Sequence, residues 1–364
     1  MKILGLMSGT SMDGVDCCYA DISLNRDYDF NYKILDAFTY SFPLKIKKNI
    51  NASIGNTQTN IVKKTNEQIG VFFCEKSIDF LGNRQIDLIS IHGQTISHID
   101  KVRTIQIGNP EYLSKYFKIP VCYDFRSLDV LLGGTGAPLM PFLDWLIFKD
   151  SSDHVITLNI GGIANITSIP KRCKRTSVIG FDTGPGMCLI DQYVKLKFDL
   201  YYDDCGVKAS RGSICYDLLE YLMQDPFINK SYPKSTSREK YDMNYLLRIV
   251  KKFQNINQFD FLRTLVFFTA SSISINIKKI VGSKLSYKLI LSGGGSRNLL
   301  LVQDIKKNTP NSNLEIIDSY NINRDIKEAL LMAVMGVAKY KNINNNMPSV
   351  TGAIKLDCYG EIYE

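Results

Sequence analysis

The chain has 364 residues, enough for two domains of ordinary size. With 45% hydrophobic and 22% charged residues it is globular in composition, which excludes a disordered or fibrous protein. The formal net charge of +8 lies in short clusters at segment ends (Lys45, Lys47 and Lys48; Lys171 to Arg175; Lys278 and Lys279), not on one face, so no nucleic-acid partner is indicated.

The nine cysteines are odd in number, contain no CxxC and fall partly inside apolar runs, a pattern of buried thiols in a reducing compartment. His92, His98 and His154 are too scattered for a zinc site. The amino terminus turns glycine-rich and polar too early for a signal peptide. The longest apolar stretch, Val130 to Phe148, is interrupted by Gly133, Gly134, Gly136, Pro138, Pro141 and Asp144, which does not suit a membrane helix. A soluble, cytoplasmic protein without a membrane partner is expected.

In chain order, Lys2 to Met7 predicts a strand, Ser8 to Gly14 a turn of small and hydroxylic residues, and Val15 to Ile22 the returning strand of a hairpin. Lys45 to Leu81 carries helical spacing. Ile86 to Ile91 predicts a strand ending on His92-Gly93-Gln94-Thr95. Thr104 to Gly108 reads as a strand, Glu111 to Phe117 as a helix, and Ile119 to Tyr123 as a strand that delivers Asp124-Phe125-Arg126. The pattern then restarts. Val155 to Asn159 and Ile166 to Ile169 flank a turn at Gly161-Gly162, and Val178 to Phe181 leads into Asp182-Thr183-Gly184-Pro185-Gly186 and a helix from Cys188 to Leu196. Arg211 to Met223, Met243 to Phe253 and Phe261 to Ile280 predict helices, and Tyr287 to Leu291 a strand delivering Ser292-Gly293-Gly294-Gly295. Ile326, Ala329, Leu330, Ala333, Val334 and Val337 mark an amphipathic helix. Asn342 to Asn346 reads as a linker to a short final segment. Strands alternating with helices indicate an α/β fold, and a strand–glycine turn–strand unit opening each half suggests a duplication.

Four glycine-rich turns each follow a predicted strand: Ser8 to Gly14, Gly161 to Asn165, Asp182 to Gly186 and Ser292 to Gly295. Glycine lets backbone N–H groups approach an anion, and strand ends in α/β sheets are where ligands bind. The P-loop and dinucleotide-binding signatures are both missing.

The chain resembles the sugar kinase/actin/Hsp70 superfamily and, within it, is identified as a member of the anhydro-N-acetylmuramic acid kinase family. The motifs carrying this are Gly5 to Asp16 (GLMSGTSMDGVD), His92-Gly93-Gln94-Thr95, Gln106-Ile107-Gly108, Asp124-Phe125-Arg126 and Gly133 to Leu139. Asn159 to Asn165, Gly180 to Gly186, Pro233 to Thr236, Gly293 to Gly295 and Ser349 to Ala353 complete them. The resemblance implies two ribonuclease-H-like (actin-like ATPase) domains with ATP in the cleft between them. Expected boundaries are 1–130 for the first domain, with 345–364 packing back on it, and 131–344 for the second. It further implies ATP-dependent hydrolytic opening of the 1,6-anhydro ring of anhydro-N-acetylmuramic acid with phosphorylation of O6, in cell-wall recycling. Expected partners are the sugar and ATP with Mg²⁺, and the expected assembly is a homodimer.

A carboxylate must activate the water that attacks the anomeric carbon, and Asp182 matches the family's base. Gly9, Thr10, Ser11, Met12, Asp13, Gly14, Val15 and Asp16 are expected around the β- and γ-phosphates, with Asp13 or Asp16 as the carboxylate near Mg²⁺. By resemblance Gly161 and Gly162 approach the phosphates, and Gly293, Gly294 and Gly295 the adenosine. Arg126 suits the lactyl carboxylate of a muramic acid, Asp124 its hydroxyls, and His92 and Gln94 are expected at the sugar. Glu328 stands outside this set, because its helix can turn it either to solvent or inward. Met187, Thr135, Asp144, Ser237 and Asn109 stand where the family pattern has Asn, Gln, His, Gly and Asp. The alternatives are another sugar kinase, in which no water enters the product, and an ATP-binding sensor that has lost turnover; Met187 favours the sensor and Asp182 opposes it.

Overall fold

The computed structural model describes residues 1–9, 12, 14–56, 59–282 and 284–364. Thr10, Ser11 and Asp13, expected at the phosphates, lie outside the described residues. The strands are β1 (Lys2–Ser8), β2 (Gly14–Leu24), β3 (Phe30–Ser41), β4 (Leu88–Ile99), β5 (Arg103–Ile107) and β6 (Val121–Tyr123). They continue with β7 (His154–Ile160), β8 (Ile163–Ile169), β9 (Ile179–Pro185), β10 (Tyr287–Ser292), β11 (Ser312–Ile316) and β12 (Glu361–Tyr363).

The chain divides into two compact units, Met1–Ile147 with Asn321–Glu364, and Phe148–Tyr320. This differs from the expected boundaries at 130/131 and 344/345. Helix Met140–Phe148 and helix Lys327–Tyr340 lie in or at the edge of the first unit, and the latter packs on β1, β2 and β4. Two glycines bring that helix close: a Cβ at Gly5 would collide with the Ala329 carbonyl, and one at Gly336 would meet the Ser90 side chain.

The sheet of the first unit runs β12-β6-β4-β1-β2-β3, with β5 paired to β4. β1, β2 and β3 are antiparallel, while β4 joins β1, and β6 joins β4, in parallel. β1 is buried from Ile3 to Ser8, as its continuous apolar run requires of a central strand. β3, on the edge, was not read from the sequence; its polar and apolar residues alternate between exposure and half-burial. The sheet of the second unit runs β11-β10-β7-β8-β9. β7, β8 and β9 are antiparallel, and β10 and β11 are parallel to β7. Both units therefore have the strand order 3-2-1-4-5 of a ribonuclease-H-like fold, which makes each half one copy of the same α/β architecture.

Other local readings are corrected by packing. The Lys45 to Leu81 region forms two helices, Leu44–Ser53 and Asn60–Leu81, the second capped by the Thr59 hydroxyl accepting the Val62 N–H. The helix expected from Arg211 begins only at Tyr216. The Asn342 to Asn346 stretch is not a loose linker: Asn345 and Asn346 are buried and stitched to the carboxyl-terminal segment. Asn345 exchanges bonds with the backbone of Tyr359 at 3.0 and 2.6 Å, and Asn346 accepts the Asp357 N–H at 2.9 Å. Helix Gln258–Val281, the one described helix long and apolar enough to cross a membrane, is the central helix of the second unit, and most of its apolar side chains are buried there.

Candidate active site

In the first unit the polar residues gather where β1 ends. β4 does not stop at His92 as expected; it runs on to Ile99, because beyond the end of β1 it pairs with β5. Gly93, at φ +76°, makes this continuation possible, since a Cβ there would press on the Ile107 carbonyl at 2.9 Å. Gln94 is fully buried; its Oε1 accepts the Ser8 hydroxyl at 2.5 Å, and its Nε2 donates to the carbonyls of Gly9 and Thr95 at 3.2 and 3.3 Å. The Gly9 carbonyl also accepts the N–H of Met12, which adopts φ +56°. Gln94 thus pins the start of the glycine turn. Gly14 and Val15 open β2, and Val15 is core. Asp16, beside Met7, accepts the Thr39 hydroxyl at 2.6 Å.

His92 is buried, and both ring nitrogens are engaged. Nε2 accepts the Arg126 Nε–H at 2.8 Å, which puts the ring proton on Nδ1, 2.7 Å from the Gly93 carbonyl. Burial, reinforced by the Arg126 charge, lowers the His92 pKa to about 3, so the ring is neutral near pH 7 and orients the guanidinium. Arg126 donates from Nη1 to the Gly136 carbonyl at 2.7 Å; burial lowers its pKa to about 10 against the attraction of Glu328 and Asp129. Asp124, at φ +50°, accepts the Ser127 N–H at 3.0 Å and closes the turn ahead of helix Ser127–Leu131. Asp129 fixes the Gly133 to Pro138 loop by accepting the Gly136 N–H at 2.6 Å and the hydroxyls of Thr351 and Tyr359, each at 2.7 Å.

Glu328 is the residue that sequence reasoning left out. It lies half-buried in the first turn of helix Lys327–Tyr340, within electrostatic reach of Asp16 and Arg126. Burial and then the Asp16 charge raise its pKa, while Arg126 and Lys327 hold it down.

In the second unit Asp182 sits on β9. Its N–H donates to the Lys234 carbonyl at 3.2 Å. Its Oδ2 accepts the Ser235 hydroxyl at 3.0 Å and the Thr236 N–H at 2.8 Å. The Pro233 to Thr236 motif is the sequence signal for this clamp. Gly161 and Gly162 turn their carbonyls to the segment after β9: Gly161 accepts the Met187 N–H at 2.8 Å, and Gly162 those of Gly186 and Cys188 at 2.9 and 3.1 Å. The turn caps helix Cys188–Phe198 with backbone oxygen, and the Arg238 guanidinium covers Gly162 so closely that a Cβ would overlap it. Gly293 (φ +79°) and Gly295 pack on Ile160, while a Cβ on Gly294 would meet no atom within 4 Å.

Four of the five departures have a local account. Asp144 forms an ion pair with Lys327 (2.5 Å), the two side chains being 1% and 3% exposed. Asn109 donates to Glu67 and accepts the Glu111 N–H at 3.0 Å, starting a helix. Thr135 donates to the Ala137 carbonyl at 2.6 Å. Met187 packs against the core of the second unit. Nothing in the structure explains Ser237.

The family model described as anhydro-N-acetylmuramic acid kinase matches residues 1–364. A relative of that name from Clostridioides difficile (strain 630) is 34% identical over 378 residues, covering 100% of this chain and 98% of its own. Another from Bacillus cereus (strain AH187) is 34% identical over 382 residues, covering 100% and 99%. Among solved structures, the activator of the 2-hydroxyisocaproyl-CoA dehydratase from Clostridium difficile with bound ADPNP is 13% identical, with a TM-score of 0.44 over 94% of this chain and 96% of that one.

Proposed function

The chain belongs to the anhydro-N-acetylmuramic acid kinase family, and from that premise we propose that it uses ATP and water to open the 1,6-anhydro ring of anhydro-N-acetylmuramic acid. The products are N-acetylmuramic acid 6-phosphate and ADP, in the cytoplasmic recycling of cell-wall fragments. The observation that carries this reading is the clamped Asp182: a carboxylate on a strand whose Oδ2 accepts the Ser235 hydroxyl and the Thr236 N–H is held in a fixed orientation, as a general base requires.

Asp182 takes the proton of the water that attacks the anomeric carbon. As the C1–O6 bond breaks, O6 acquires the γ-phosphoryl group instead of a proton, so no second acid is needed at that oxygen. Arg126, oriented by His92, binds the lactyl carboxylate, and Asp124 accepts a sugar hydroxyl. The turn from Gly9 to Asp16 and the glycines 161, 162 and 293–295 hold ATP. Among the described residues no three His, Cys, Asp or Glu side chains form a metal cluster. Mg²⁺ would arrive with ATP, held chiefly by phosphate oxygens and water, with Asp16, or Asp13 outside the described residues, as the nearby carboxylate. The ion would neutralise phosphate charge. A homodimer, checked by sedimentation, belongs to the same reading.

The test is turnover in oxygen-18 water with MgATP and anhydro-N-acetylmuramic acid, read early by mass spectrometry. The expected product is a 6-phosphate with one heavy oxygen at the anomeric carbon. Asp182→Asn is expected to lose about 10²–10⁴-fold in kcat, as for other general bases, and a phosphorylated ordinary sugar without heavy oxygen would overturn the reading.

A further inference from the structure

Lys234 is a buried cation of the second unit that the proposed chemistry leaves unused. Its side chain is 6% exposed. Nζ donates to the carbonyls of Phe227 and Ile228 at 2.9 and 3.1 Å, at the end of the short helix Pro226–Asn229, and lies 4.7 Å from the centre of the Phe227 ring. Carbonyls at a helix end carry partial negative charge, so they suit an ammonium. Two neighbours use the same group: Lys279 donates to Ile228 and Asn229, and Asn276 to Ile228 and to Thr183, the residue after Asp182.

The backbone closes a ring around this anchor. The Lys234 carbonyl accepts the Asp182 N–H, and the next two residues, Ser235 and Thr236, hold Asp182 Oδ2. We propose that Lys234 is a positioning residue: its ammonium fastens the 233–236 loop to the carbonyls of Phe227 and Ile228, and so fixes the carboxylate of Asp182 in the orientation its reaction needs. The proposal rests on the reading of Asp182 as the base. Burial, with Lys279, Lys230 and Lys240 nearby, lowers the Lys234 pKa to about 8 against the attraction of Asp182. Keeping a cation there costs stability, which a surface-facing loop lysine would not incur.

The experiment compares wild type, Lys234→Met, Ser235→Ala and Asp182→Asn in kcat, KM for ATP, thermal midpoint and the pH dependence of kcat. Lys234→Met removes both anchoring bonds and the cation near Asp182. The expected result is a loss of about 10–100-fold in kcat, in line with misplacement of a reacting group, with KM for ATP within about twofold. The acidic limb of its kcat profile is expected to move to higher pH. Ser235→Ala, which leaves the anchor intact and removes one bond to Oδ2, is expected to lose a smaller part of kcat and supplies the answer if Lys234→Met does not fold. Wild-type kcat and pH profile in Lys234→Met, or in Ser235→Ala where only that variant folds, overturn the proposal. Asp182→Asn with wild-type turnover overturns instead the base assignment, so the two failures are told apart.

Discussion

The two units share one strand order and furnish it differently. β4 in the first unit and β10 in the second are both the fourth strand, parallel to the first. β4 carries His92 and Gln94, side chains that bond Arg126, Ser8 and Gly9; β10 delivers glycines that press backbone on Ile160. The third strands diverge as well: β3 is a half-exposed edge, whereas β9 is largely buried and bears Asp182. In the first unit the site is a network of side chains. In the second, most partners are backbone groups: the carbonyls of Gly161, Gly162 and Lys234 and the N–H of Thr236. Topology fixes where the strand ends fall, and the residues there are free to solve different tasks. The first unit should therefore break on loss of a side chain, and the second on gain of one.

The largest expected effect is in the first unit. Lys327→Met takes the ammonium away from the buried Asp144 carboxylate, and removal of one partner of such a pair typically costs about 3–5 kcal/mol. Urea unfolding reads the loss, and Lys327→Met with Asp144→Leu should recover much of it, because the double variant removes both buried charges. A loss under about 1 kcal/mol in the single variant would mean that the pair is not what holds helix Lys327–Tyr340. In the second unit the sharper test is Gly186→Ala. Its Cβ meets the Gly161 carbonyl and, at 3.2 Å, the Ala164 N, all backbone that cannot yield, so overpacking of about 1–3 kcal/mol is expected. The atoms nearest a Cβ on Gly162 belong to the flexible Arg238 side chain, so Gly162→Ala should cost less. Equal losses in the two variants would remove the distinction between backbone and side-chain neighbours.

This contrast also marks what the sequence could reveal. Glycine turns after apolar runs were visible because they are local, and the helix Glu111–Phe117 was placed to the residue because its cap and length are local too. The continuation of β4 past His92 was not visible, since it depends on β5 arriving to pair with it. β3 was missed because an edge strand needs no apolar run. Asp182 and Arg126 could be named from their motifs, but the bond from Arg126 to His92 and the clamp on Asp182 join residues 34 to 54 positions apart. Glu328 had one unused signal. The run Ala329 to Ala338 contains no charged residue, so the acidic Glu328 in the first turn of so apolar a helix stands out in the sequence.

The smallest effects are those of pH, and they run in opposite senses in the two units. In the first, folding lowers the His92 pKa from 6.5 to about 3, so the unfolded chain binds the proton more readily; stability is lost as pH falls from about 6.5 toward 3. His92→Gln, which retains an acceptor for Arg126, should flatten that acidic decline. In the second, Asp191 in the first turn of helix Cys188–Phe198 has a buried Oδ1 with no hydrogen-bond partner among the described residues. Burial raises its pKa from 3.8 to about 7 against the pull of Arg238, so the folded state holds the proton more tightly. Stability then declines as pH rises from about 4 to 7. Asp191→Asn should melt above wild type at pH 8 by about 2–4 °C, the shift that 1 kcal/mol produces in domains of this size, and the advantage should vanish near pH 4. An Asp191→Asn curve parallel to wild type across that range would mean that the carboxyl finds a partner in solution, and the side-chain sensitivity assigned to the first unit would then stand alone.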